Sequence, residues 1–118
     1  MYGLPADFDG RIFVGRTLEV VSFFVNQMIL RFDQDISVRL EGEYSLQLDS
    51  GSEPEIIEVP EFHPELTKLL EQTVSNASSA KDGTLKIQFS GGAIFTCYDR
   101  TPGYESYEID IGDRRIIV

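Results

Sequence analysis

The chain has 118 residues, of which 42% are hydrophobic and 25% charged; twenty acidic against ten basic side chains leave a formal net charge of −10. That length fits a single domain spanning 1–118, at the usual ~100–200 residues per domain, with enough apolar content for a core. The charge excludes two partner classes: nucleic acid, which is held by Lys and Arg on phosphates, and an anionic membrane surface.

Cys97 is the one cysteine, which excludes an internal disulfide framework and a cysteine-based zinc site. No apolar run approaches the ~18 residues of a membrane span. The stretch Met1-Tyr2-Gly3-Leu4-Pro5-Ala6-Asp7 has neither the basic start nor the apolar core of a signal peptide. A cytoplasmic protein is the expectation.

In chain order, the first half reads as strands. Thr17 to Phe24 is rich in β-branched and aromatic residues, and Val25-Asn26-Gln27 turns it into the next strand. Met28, Leu30 and Phe32 share one face at period two, as do Ile36, Val38 and Leu40, with the polar turn Asp33-Gln34-Asp35 between them. Tyr44, Leu46 and Leu48 continue the alternation after Gly42, which reads as a bulge or a tight bend. Asp49 to Glu55 is loop by composition, and Ile56 to Val59 predicts a short edge strand.

A helix is expected over Pro64–Thr73. Pro64 suits a first helical position, Glu65 complements the helix dipole, and Leu66, Leu69, Leu70 and Thr73 make an apolar stripe at i, i+3, i+4, i+7. Strands then resume. Asp82-Gly83 is a strong hairpin signal, and Leu85, Ile87 and Phe89 alternate with polar neighbours. Ser90-Gly91-Gly92 turns the chain into Ala93–Tyr98. Tyr107, Ile109 and Ile111, the turn Gly112-Asp113 and a closing strand from Arg114 complete the chain.

The halves resemble each other. Met28-x-Leu30-x-Phe32 matches Leu85-x-Ile87-x-Phe89, and Ile36 to Arg39 matches Ala93 to Thr96. Thr73-Val74 follows Thr17-Leu18 by 56 residues, and Phe89 follows Phe32 by 57. The expected fold is α+β: mostly antiparallel sheet from two similar β-meander units, about 15–48 and 73–111, with the Pro64–Thr73 helix packed on one face. An internal duplication and a coincidence of two meanders both account for the match.

Catalytic signals are sparse. His63 is the only histidine, so no triad or multi-histidine metal site has a second imidazole; it reads as the residue entering the helix. Asp33-x-Asp35 suits a hairpin turn, where aspartates cap their own backbone. Cys97 sits in an apolar strand as a small hydrophobe. The chain has no G-x-x-x-x-G-K, G-x-G-x-x-G, calcium loop or G-x-S-x-G elbow. The expectation is a non-enzymatic protein with no metal and no cofactor.

Gly15-Arg16-Thr17-Leu18, Ile36-x-Val38-x-Leu40-Glu41-Gly42, Asp82-Gly83-Thr84-Leu85 through Phe89, and Tyr104-Glu105-Ser106-Tyr107-Glu108-Ile109 occur in this order. That order resembles a family of small uncharacterised bacterial proteins with G-x-x-L, I-x-I-E, D-G-T-L-x-I-x-F and Y-E-S-(Y/W) motifs. The resemblance runs from Gly15 to Ile117 and leaves out the 49–61 loop. It implies no established activity. Size, acidity and strand content look like immunity proteins of bacterial toxin systems, by analogy of class.

The expected function is therefore an acidic binding protein, an immunity-type inhibitor that masks a basic toxin domain. An accessory or self-associating domain, including a homodimer, is the alternative, with acidity serving only solvation. Glu53, Glu55, Glu58 and Glu61 form a run without Lys or Arg that would steer a basic partner. Phe62 and Tyr104 are candidate aromatic anchors, and Glu108 and Asp110 share an outward strand face.

Overall fold

The computed structural model describes residues 4–5, 7–49, 51–59, 61–100 and 106–118. The described residues form strands β1 (Leu18–Phe23), β2 (Met28–Phe32), β3 (Ile36–Leu40), β4 (Glu43–Gln47), β5 (Glu55–Glu58), β6 (Val74–Ser79), β7 (Leu85–Phe89), β8 (Ile94–Cys97), β9 (Tyr107–Ile111) and β10 (Arg114–Ile117). They build two five-stranded antiparallel sheets, ordered β1-β2-β3-β9-β10 and β5-β4-β8-β7-β6. Period-two alternation puts one face of each on a common core: Leu30, Phe32, Val38 and Ile109 from the first sheet, Leu46, Ile87, Phe89 and Phe95 from the second.

The topology repeats itself. In each half a short 3-10 turn precedes three strands in one sheet, and the next two strands cross to the other. The first turn is Gly10–Phe13 and the second Pro64–Leu69. Each sheet thus holds three strands of one half and two of the other. The first crossing is made at Glu41-Gly42, whose N–H groups both donate to the Ser106 carbonyl at 3.0 Å.

The halves meet at an isolated bridge between Thr17 and Thr73, residues that the sequence match aligns. Around it, Gly15 N–H donates to Val74 C=O and Glu71 N–H to Leu18 C=O, both at 2.8 Å. Leu18 N–H donates to Gln72 C=O at 3.0 Å and Val74 N–H to Arg16 C=O at 2.8 Å. A shift of 56 residues carries each bond of a pair into the other. Both outer strands also carry a register shift at matching places, Leu18/Val20 and Val74/Asn76. The aligned rings of Phe32 and Phe89 stack across the core, centroids 6.3 Å apart.

The expected helix over Pro64–Thr73 is corrected. The segment is a 3-10 turn ending at Leu69; Glu71 takes φ +69° and Thr73 bridges to Thr17. Leu66 and Leu69 are buried at a spacing of three, which suits the tighter turn, whereas Leu70 is exposed. Val74 then opens β6, in which Val74 and Ala77 are buried and the rest faces solvent. Pairing with β7 outweighs the local helical pattern, and the α part of the α+β expectation gives way to a mostly β fold. Gly10 in the first turn has a specific cause: a Cβ there would lie 2.8 Å from the Ala77 carbonyl oxygen, so only glycine lets the turn seat on β6. Among the described residues no helix is long and apolar enough to cross a membrane.

Candidate functional site: an aromatic patch beside an acidic edge

The site starts from a buried tyrosine. Alternation on β4 turns Tyr44 inward, where its ring stacks on Phe95 with centroids 5.1 Å apart. Its hydroxyl donates to Glu61 C=O and accepts from His63 N–H, each at 3.0 Å. Those are the backbone groups on either side of Phe62. Holding both inward leaves the Phe62 side chain 62% exposed. Burial pushes the Tyr44 hydroxyl up to about 12, so it remains a protonated donor across the ordinary pH range.

His63 supports the same segment from below. It is buried and caps the second 3-10 turn, its Nδ1 accepting Glu65 N–H at 3.0 Å. The ring proton therefore sits on Nε2, which faces the Glu55 carboxylate at 2.9 Å. His63 was expected to enter a helix; it enters this 3-10 turn instead.

The exposed Phe62 ring meets Phe23, the last residue of β1, with centroids 5.1 Å apart. The turn that follows is apolar: Phe23 is 41% exposed, Phe24 55% and Val25 84%. Phe24 N–H donates to Gln27 C=O at 2.8 Å, which closes the turn. Gln27 in turn donates its side-chain amide to Glu41 at 3.1 Å. The Phe23–Phe62 contact thus joins the edge of the first sheet to the segment after β5 in the second, with exposed Phe24 and Val25 next in the chain.

Carboxylates border it. β5 is an edge strand of the second sheet, with Glu58 opposite Glu43 on β4. Glu53, Glu55, Glu58 and Glu61 are all exposed. Glu55 is taken by His63, and Arg100 approaches Glu43 at 3.6 Å. Glu41, Glu58 and Glu61 make no ion pair among the described residues.

Glu55 and Glu58 lie on β5, Glu53 just before it and Glu61 and Phe62 just after it, apart from Glu108 and Asp110. These two lie on β9 in the first sheet, where Arg115 approaches them at 3.4 and 3.3 Å. Burial and the adjoining Asp110 carboxylate hold Glu108 above the usual carboxylate range. Tyr104 lies outside the described residues. The hairpin aromatics Phe23 and Phe24 escaped the sequence reading. Their signal was present in the repeat, which sets Phe23-Phe24-Val25 against Ser79-Ala80-Lys81.

The remaining chemical candidates have structural positions. Asp33 accepts Thr17 N–H at 3.1 Å and ties the β2–β3 turn to β1. Cys97 is fully buried, and burial pushes its thiol up, away from the reactive thiolate. Among the described residues no three His, Cys, Asp or Glu side chains converge as a metal site.

Neither a curated protein nor a solved structure matches the chain. A family model does, over residues 11–118, reaching from the first 3-10 turn through β10. The chain belongs to that family, DUF6188, a family of unknown function.

Proposed function

We propose that the protein is a non-enzymatic binding protein whose acidic edge masks a basic surface on another protein, in the manner of an immunity-type inhibitor of a basic toxin domain. The observation that carries this reading is the β5 edge, where exposed Glu58 and Glu61 stand without a cation among the described residues. Carboxylates clustered in this way gain little for the fold and repel one another. They become favourable when Lys or Arg from a partner approaches, which raises the association rate.

The test is a binding assay against toxin domains encoded next to this gene, each made as an inactive variant. Association should be fast at low salt and slow as salt rises. Reversing Glu53, Glu58 and Glu61 to Lys together, three exposed carboxylates with no ion pair among the described residues, should slow association at low salt and leave the melting temperature close to wild type. Binding that ignores both salt and the reversals would overturn the masking mechanism.

A further inference from the structure

We infer that Phe23, Phe24, Val25 and Phe62 are the apolar anchor of a docking surface, and that its occupant is a protein presenting an apolar pocket bordered by Lys and Arg. This rests on the reading above and adds the part of the surface that holds the partner once charge has brought it in.

The fold does not require this patch. The twin position, at the end of β6, carries Ser79, Ala80 and Lys81, yet pairs in the same way: Ser79 lies opposite Leu85 as Phe23 lies opposite Met28. A hairpin that closes with polar residues in one half has no folding need for two phenylalanines and a valine in the other. Solvent-exposed apolar clusters of this kind mark interaction sites.

The patch is also preorganised. Tyr44 grips the backbone on both sides of Phe62, and Phe62 rests on Phe23, so these two rings have less rotamer freedom to lose on binding than unsupported side chains. Aromatic residues held in this way are the usual hot spots of an interface.

The border selects the occupant. Glu61 adjoins Phe62 in the chain and Glu41 holds Gln27 at the end of the hairpin turn, so a partner must answer carboxylates with cations. A second copy docked on the same face by two-fold symmetry would present carboxylates, not cations, around its own apolar residues. An anionic lipid surface meets the same repulsion.

The test uses the full chain and a displayed library of random peptides, selected at low salt. Enriched peptides should combine an aromatic or branched aliphatic residue with flanking Lys or Arg. Phe62→Ser and Phe24→Ser should weaken them roughly tenfold or more, mainly through faster dissociation. Lys81→Ser at the twin hairpin should change nothing. Circular-dichroism melts check that each variant folds; Val25→Ser, at the most exposed position of the patch, is a further variant with little to disturb.

Absence of any enriched peptide, or enrichment of peptides without Lys and Arg, would overturn the inference. So would folded Phe24→Ser and Val25→Ser proteins that bind like wild type, or a dimer in sedimentation that Phe62→Ser dissolves. The two readings fail separately. If the triple Glu reversal slows association while the Phe variants bind normally, the anchor is wrong and masking stands. If the Phe variants lose binding and the reversal has no effect, the anchor stands and masking is wrong.

Discussion

The two halves share a topology and differ where they face the outside. In the first half the β1–β2 turn displays Phe23, Phe24 and Val25; in the second the β6–β7 turn displays Ser79, Ala80, Lys81 and Asp82. The outer strand faces differ as well. Ser37, Arg39, Glu108 and Asp110 cross the first sheet as a polar ladder, whereas Ser45 and Thr96 on the second are buried, with the Ser45 hydroxyl 2.9 Å from that of Tyr98. Features common to both halves are what the fold needs. Features confined to one half are where function is to be sought.

Substitutions in pairs, one per half, can break or sharpen that division. The largest effect belongs to the shared core. Phe32→Ala and Phe89→Ala should each cost about 3–5 kcal/mol, because both remove one ring of a stacked pair at the centre. Urea unfolding should give one transition for each. Two transitions, or one variant near wild type, would mean that the halves do not share the core equally.

The inward tyrosines come next. Tyr107 occupies the place of Tyr44, and its hydroxyl donates to Gly83 C=O at 2.6 Å. Tyr44→Phe leaves a carbonyl and an N–H unmet and should cost about 1–3 kcal/mol. Tyr107→Phe leaves only a carbonyl and should cost less. Hydrogen exchange should speed up at the His63 amide in the first variant and stay unchanged there in the second.

A smaller pair tests the seam. Gly15 and Glu71 are matching residues at φ +84° and +69°. Gly15→Ala should cost about 1–2 kcal/mol, since an L-residue pays for that backbone. Glu71→Gly should raise stability by about a few tenths of a kcal/mol, the relieved strain being partly offset by a looser unfolded chain. Thermal melts resolve the opposite signs.

The smallest effect is one of pH. With its pKa raised in the folded state, Glu108 holds its proton to higher pH than it does in the unfolded chain. The unfolded state then binds fewer protons, so stability falls as pH climbs from the ordinary carboxylate value through the folded one. Glu108→Gln should flatten that decline and raise stability at neutral pH. The matching residue of the second sheet, Ser45, contributes no such slope. An unchanged stability-versus-pH curve for Glu108→Gln would remove this asymmetry.

Much of this architecture was legible beforehand. Strict alternation in Met28–Phe32, Ile36–Leu40 and Leu85–Phe89 marked strands whose bounds the structure repeats. The short β5 edge and the closing β10 were legible from their bounding turns. The acidic run and Phe62 were legible by composition. Two readings of Thr73 were in conflict: the leucine spacing made it helical, while the repeat set it against Thr17 at the start of a strand. β6 was missed because only Val74 and Ala77 of its six residues face the core, which is too weak an alternation to see locally.

The sequence by itself determined the strand periods, the turns and the density of carboxylates, because each of these is set by a residue and its near neighbours. Only the tertiary structure decided that Thr73 pairs with Thr17, that β4 and β9 exchange sheets, and that Tyr44 reaches the backbone around Phe62. Those outcomes rest on contacts between residues far apart in the chain. A local pattern such as that of Leu66, Leu69 and Leu70 is worth a few tenths of a kcal/mol per residue. The seam and the sheet it completes bury whole side chains at about 1.5–3 kcal/mol each, and so they win.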